Sequence, residues 1–186
     1  MRNLLLLASA ILLFSCTKRS DTGADEFWNN LTAHCGKSYE GVLTFPEDDP
    51  DFGGKKLVMH VASCTDSQIK IPFFVGDDKS RVWVLTRNEN VLELHHEHTN
   101  EDGTPDEVTF YGGTATNTGQ ATIQVLPANQ HTITMLPQAS TNIWWFTLDH
   151  SQFTYNLRRV GSDRLFTVTF DLSKAIETPE KPWGWK

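Results

Sequence analysis

Basic residues are scarce in this chain: 16 Lys and Arg stand against 23 Asp and Glu, for a formal charge of −7. Nucleic-acid binding needs clustered Lys and Arg, so the charge balance excludes that class of partner. Long apolar runs are missing too. The longest, Leu4 to Phe14 interrupted only by Ser9, falls short of the ~20 residues that a bilayer-spanning helix needs. There is no GxSxG, no HExxH, no phosphate-cradling glycine loop and no dinucleotide fingerprint, so the sequence makes no positive case for catalysis. The three cysteines include no CxxC pair, which leaves a redox or thiolate-metal reading without its usual spacing. No internal repeat supports a propeller. What is present is ample for a core: 186 residues, 39% hydrophobic and 11% aromatic, too apolar for a disordered chain and of a length that suits one domain.

The amino terminus reads as an address. Arg2 supplies a positive start, the apolar run follows, and Leu13-Phe14-Ser15-Cys16 closes it. This close resembles the lipobox of bacterial lipoproteins. The resemblance implies a signal peptide over 1–15, cleavage before Cys16, and acylation of Cys16 with palmitate-type chains that anchor the protein to a lipid bilayer. An ordinary secretory signal with Cys16 incidental is the plainer alternative. Thr17 stands where an aspartate would favour inner-membrane retention, so the resemblance points to the outer membrane, facing the periplasm. Residues 16–25 are small, polar and charged and read as a flexible tether, leaving 26–186 as a single domain. Cleavage removes Arg2 and makes the mature chain more acidic still, so contact with anionic lipid beyond the anchor is disfavoured.

Two cysteines remain, Cys35 and Cys64, in a compartment that oxidises thiols. Residues 39–45 and 57–64 read as strands joined by the turn-rich PEDDPDFGGKK. An antiparallel hairpin centred near residue 50 brings Cys35 and Cys64 close to opposite one another. Their disulfide should stabilise the fold by ~3–4 kcal/mol in the chain-entropy model.

Asp25 to His34 is the one clear short helix, with Phe27, Trp28 and Leu31 on one face and Gly36 just beyond its end. After it, Val-, Ile-, Thr- and aromatic-rich runs recur between Gly, Asp, Asn and Pro clusters. Strands are expected near 39–45, 56–64, 68–75, 80–87, 90–98, 107–112, 119–126, 142–149, 152–160 and 164–172. No helix-length pattern separates them, so parallel crossovers are excluded and the sheet should be antiparallel. Ile69, Ile71, Phe73 and Val75 share a face, as do Phe153, Tyr155 and Leu157, and Phe166, Val168, Phe170 and Leu172. The expected fold is all-β: an up-and-down barrel of about 8–10 strands with one short N-terminal helix, or alternatively a two-sheet sandwich. The C-terminal segment carries Trp183 and Trp185, which are expected to lie over the barrel wall.

The short helix followed by Gly36-Lys37-Ser38-Tyr39 is similar to the opening of lipocalin-type barrels, with Tyr39 in place of the usual tryptophan and the spacing longer by one. The blocks KIPFFVGDDKSRVW and HHEHTNEDGTPDEVTFYGG resemble those of a family of uncharacterised bacterial secreted proteins and lipoproteins, a resemblance that implies no chemistry.

The densest polar stretch is Glu93 to Glu107. On a strand, His96 and His98 point to one side with Leu92 and Leu94, a spacing that lets two imidazoles converge on a divalent transition metal. Asp102 is the nearest third ligand, with Asp106 next and His60 available from a neighbouring strand. If Asp102-Gly103 centres the hairpin, His96 faces Thr109 and His98 faces Glu107; a slip of one residue gives Phe110 and Val108. The plainer alternative is a solvated hairpin with no metal. Glu47, Asp48, Asp49 and Asp51 read as a charged, solvated loop tip rather than a calcium site. Arg81 with Trp83, and Arg158 with Arg159, read as cations packed over aromatic faces rather than an anion clamp. His131 and His150 lie near Ser140 and Ser151 in sequence, which alone defines no triad. Three functional readings follow: a binding module for a small, partly apolar ligand or envelope component; a metal-binding protein or metal-dependent enzyme; an envelope scaffold or accessory subunit without a ligand.

Overall fold

In the computed structural model, residues 21–186 are described. The expected signal peptide, Cys16, Thr17 and most of the expected tether lie outside them. The chain folds as helix α1 (Gly23–Thr32), then strands β1 (Ser38–Phe45), β2 (Leu57–His60), β3 (Ser63–Cys64), β4 (Gln68–Val75), β5 (Asp78–Asn88), β6 (Val91–His98), β7 (Tyr111–Thr114) and β8 (Ile123–Pro127), a short helix α2 (Gln130–Met135), and β9 (Asn142–Leu148), β10 (Gln152–Arg159) and β11 (Leu165–Asp171). Every named pairing is antiparallel, in the order β7-β6-β5-β4-β2-β1-β11-β10-β9-β8, with β3 beside β4. This is a nearly closed barrel, not a sandwich.

The barrel closes between β7 and β8 through a single bridge, Gly113 to Ala128. The backbones pass so near β7 on both sides, β6 at Gly112 and β8 at Gly113, that side chains do not fit. A Cβ on Gly112 would lie 1.8 Å from the Leu94 carbonyl oxygen, and one on Gly113 would lie 2.4 Å from that of Leu126. The polar groups of Gly112 are not left orphaned. The buried Thr132 hydroxyl of α2 accepts from its N–H at 2.6 Å and donates to its carbonyl at 2.7 Å. Helix α2 was not expected from sequence; its six residues QHTITM carry little helical pattern, and its start is set by Asn129, whose side chain accepts from the Thr132 N–H.

Helix α1 plugs one end of the barrel, burying Phe27, Trp28 and Leu31, each contributing roughly 1.5–3 kcal/mol. It starts two residues earlier than expected, so Gly23 to Asp25 belong to the helix and not to the tether. A capping box between Thr22 and Asp25 sets that start: the Thr22 N–H donates to the Asp25 carboxylate at 2.7 Å. Ser38 pairs with His60 and Gly41 with Leu57, a hairpin register that brings Cys35 and Cys64 to a Cα separation of 6.2 Å in a disulfide. The strand expected over 56–64 is two pieces, β2 and β3, both hydrogen-bonded to β4.

Alternation along the strands fills the interior with Ile71, Phe73, Trp83, Trp144, Phe146, Phe153 and Phe170, among others. Val58, Phe74, Val82 and Val84 face outward yet are buried. The C-terminal segment crosses this wall from the α1 end to the other: Ile176 donates to the Ser38 carbonyl, Glu180 pairs with Lys79, the Trp183 N–H donates to Lys79, and the Lys70 ammonium lies 6.0 Å from the Trp185 ring centroid.

Candidate functional site

The end of the barrel away from α1 holds an aromatic chamber. Trp83 lies between Phe73, at 4.6 Å and 21°, and Tyr155, at 4.4 Å and 8°, and Phe52 extends the stack beyond Phe73 at 6.0 Å. Phe52 belongs to the β1–β2 loop, which folds over the mouth. The Arg81 guanidinium sits 5.4 Å from the Phe52 centroid, and Asp49 of the same loop is buried and paired with Arg164 at 2.8 Å. The acidic loop is therefore not a wholly solvated tip: one of its carboxylates ties the loop to the barrel rim.

Beside this stack runs a hydrogen-bonded row of polar rings. The Tyr111 carbonyl can only accept, so His96 carries its proton on Nδ1 and donates there across 3.1 Å; Nε2 then accepts from the Tyr155 hydroxyl at 2.8 Å. The His96 and Tyr111 rings stack at 4.7 Å and 11°. The Tyr111 hydroxyl lies 3.2 Å from His98 Nε2. Burial lowers the His96 pKa to about 3, lowers that of His98 with Arg81 adding to the effect, raises Tyr111 to about 12 and pushes Tyr155 well above its ordinary value. At neutral pH the row is uncharged. It offers fixed dipoles and hydrogen-bonding groups.

The chamber has a volume of about 70 Å³ and opens beside Arg81 and His98 into a wider surface depression of about 720 Å³. Asp77, Asp78, Glu101, Asp106 and Trp183 line the depression together with those two residues. The Arg81 guanidinium is bonded to the Asp78 carboxylate, which also accepts from the Ser80 N–H at 2.8 Å.

The metal set expected from sequence does not assemble. His96 and His98 do share the inward face, but both nitrogens of His96 are occupied by the tyrosines. Asp102 is exposed and accepts from the N–H and hydroxyl of Thr104 within its own turn. His60 sits at the opposite end of the barrel, bonded to Ser38. Among the described residues, no three His, Cys, Asp or Glu side chains are grouped to hold a metal ion. Neither expected register of the hairpin holds: His96 pairs with Tyr111 while Thr99 bridges Pro105, so the five residues 106–110 stand against only Glu97 and His98, and Phe110 at φ 63° ends that irregular stretch. Arg159 donates to Asn142 at 2.9 Å and forms no clamp with Arg158. Ser151 donates to Asp149 at 2.9 Å, and His131 and His150 are exposed.

Sequence reading reached Arg81, Trp83, His96 and His98, and it placed Tyr155 and Phe166 on inward faces without joining them to a site. Phe52 and Tyr111 were missed. A lone aromatic in an acidic, glycine-rich loop is the one signal that marks Phe52. No family model, curated protein or solved structure matches the chain.

Proposed function

We propose that this chain is a lipid-anchored binding module of the bacterial cell envelope, held to the outer membrane through Cys16, whose barrel mouth takes a small, partly apolar ligand. The observation that carries the reading is the continuity of an aromatic chamber with a wider polar depression, with Arg81 and His98 at the threshold. At about 70 Å³, the chamber is well below the ~300–1,000 Å³ of a pocket that engulfs a ligand, and about half the ~150 Å³ of an apolar cavity that admits benzene. Its size suits the short apolar end of a ligand whose polar body lies outside in the depression. Phe52 forms the wall that comes from a loop rather than a strand.

The test is native mass spectrometry of the full-length protein extracted from its own membranes in mild detergent. The expected result is a small non-covalent adduct that is lost in Phe52→Trp, which fills the chamber, and kept in Phe52→Ala, which widens it. Thermal melts of both variants control for folding. An adduct-free wild-type protein, or one whose adduct ignores both substitutions, removes the reading.

A further inference from the structure

The charge around the mouth narrows the chemistry of the ligand, on the reading that the mouth is a binding site. Four carboxylates line the depression against one guanidinium, and that guanidinium is already engaged by Asp78. His98 is held neutral by burial. The charge of Arg81 is thus offset by Asp78, and the remaining field from Asp77, Glu101 and Asp106 is negative. The indole of Trp183 forms a wall of the same depression, and an aromatic face attracts a cation beside it. Behind the threshold the chamber presents aromatic faces, Val82 and uncharged hydrogen-bonding groups, and its one charged lining residue, Arg81, is itself a cation bonded to Asp78, so an ammonium has no partner inside it.

We propose that the mouth takes an organic amine, with a short apolar end in the chamber and the ammonium outside, among Asp106, Glu101 and the Trp183 ring. An anion of the same shape is repelled from the depression, and a neutral analogue gains only the apolar contact.

Three probes with one branched apolar end separate these cases: 3-methylbutylamine, 3-methylbutan-1-ol and 3-methylbutanoate, titrated calorimetrically into the full-length protein. The amine is expected to bind about tenfold more tightly than the alcohol, with the carboxylate weakest. Added salt and the variants Asp106→Asn and Glu101→Gln should erase the advantage of the amine and leave the alcohol unaffected. Equal binding of amine and alcohol, both blocked by Phe52→Trp, overturns the amine inference while the mouth remains a binding site. Tighter binding of the carboxylate overturns it as well. No binding by any probe, or binding indifferent to Phe52→Trp, removes the mouth site and the inference with it.

Discussion

Tyr155 donates a hydrogen bond to Nε2 of His96 across 2.8 Å, while the Tyr111 carbonyl accepts one from Nδ1–H on the other side. A histidine at 4% exposure is thereby satisfied at both nitrogens without a charge or a metal. The pair links β6 to β10 across the barrel interior, so it is a structural tie as well as part of the chamber wall.

This tie predicts an acid-sensitive stability. The folded protein keeps His96 neutral down to about pH 3, whereas the same residue in the unfolded chain takes a proton below ~6.5. The unfolded state therefore binds more protons between those values, and stability falls as pH falls through that window. One such group contributes a slope of about 1.4 kcal/mol per pH unit. His98, also lowered by burial, acts in the same direction. Urea unfolding at pH 7.5, 6, 5 and 4 should show a shallower acid limb for His96→Gln than for wild type. Tyr155→Phe should lose about 1–3 kcal/mol at pH 7 by leaving Nε2 without a donor. Parallel limbs for wild type and His96→Gln would show that His96 is not held neutral.

Gly112 makes a sharper prediction, because the backbone of β6 occupies the space a side chain would need. A Cβ there meets the Leu94 carbonyl at 1.8 Å, and backbone cannot swing aside as a side-chain tip can. Gly112→Ala should cost more than about 3 kcal/mol and open the β6–β7 seam. Hydrogen exchange at Gly112, Gly113 and Leu94 would report the opening. A variant with wild-type melting and protection would mean that the seam is more yielding than its geometry.

The strands were legible because period-two alternation survives wherever one face meets a core, as in Phe166, Val168 and Phe170. The site was less so. His96 and His98 stand on the face that sequence assigned to them, yet their chemistry depends on Tyr111 and Tyr155, 15 and 59 residues from His96 in the chain. Local patterning carries no information about such partners. The register of the histidine hairpin turned on the irregular stretch 106–110, which ends in Phe110 at positive φ, a conformation that a bulky side chain seldom adopts and that composition does not announce. Phe52 was hidden for a different reason: a loop has no period from which to read direction.

The Cys35–Cys64 disulfide joins the end of α1 to the strand pair beside it, and this helix plugs one end of the barrel. Reduction frees a loop with a sequence separation of 29, so the double variant Cys35→Ser/Cys64→Ser should lose ~3–4 kcal/mol. Loss should be accompanied by faster exchange in Phe27, Trp28 and Leu31, since their burial depends on the docking of the helix. Thiol trapping of unfolded, unreduced protein should find neither cysteine reactive. Two reactive thiols would remove the bond and weaken the periplasmic assignment with it.

The anchor itself rests on chemistry that a single atom decides. In the lipobox reading, lipid would be attached through the sulfur of Cys16, and an oxygen in its place is not a substrate for that attachment. Several acyl chains hold a protein at a bilayer stably, where one chain is marginal, and the acidic mature chain adds no electrostatic attraction to anionic lipid. Cys16→Ser should therefore move the protein from the membrane fraction to the soluble fraction and abolish incorporation of labelled palmitate. Its barrel should melt as wild type does, since the described fold uses only Cys35 and Cys64 of the three cysteines. Continued labelling of Cys16→Ser, or retention of the unlabelled variant on membranes, would place the anchor elsewhere in the chain.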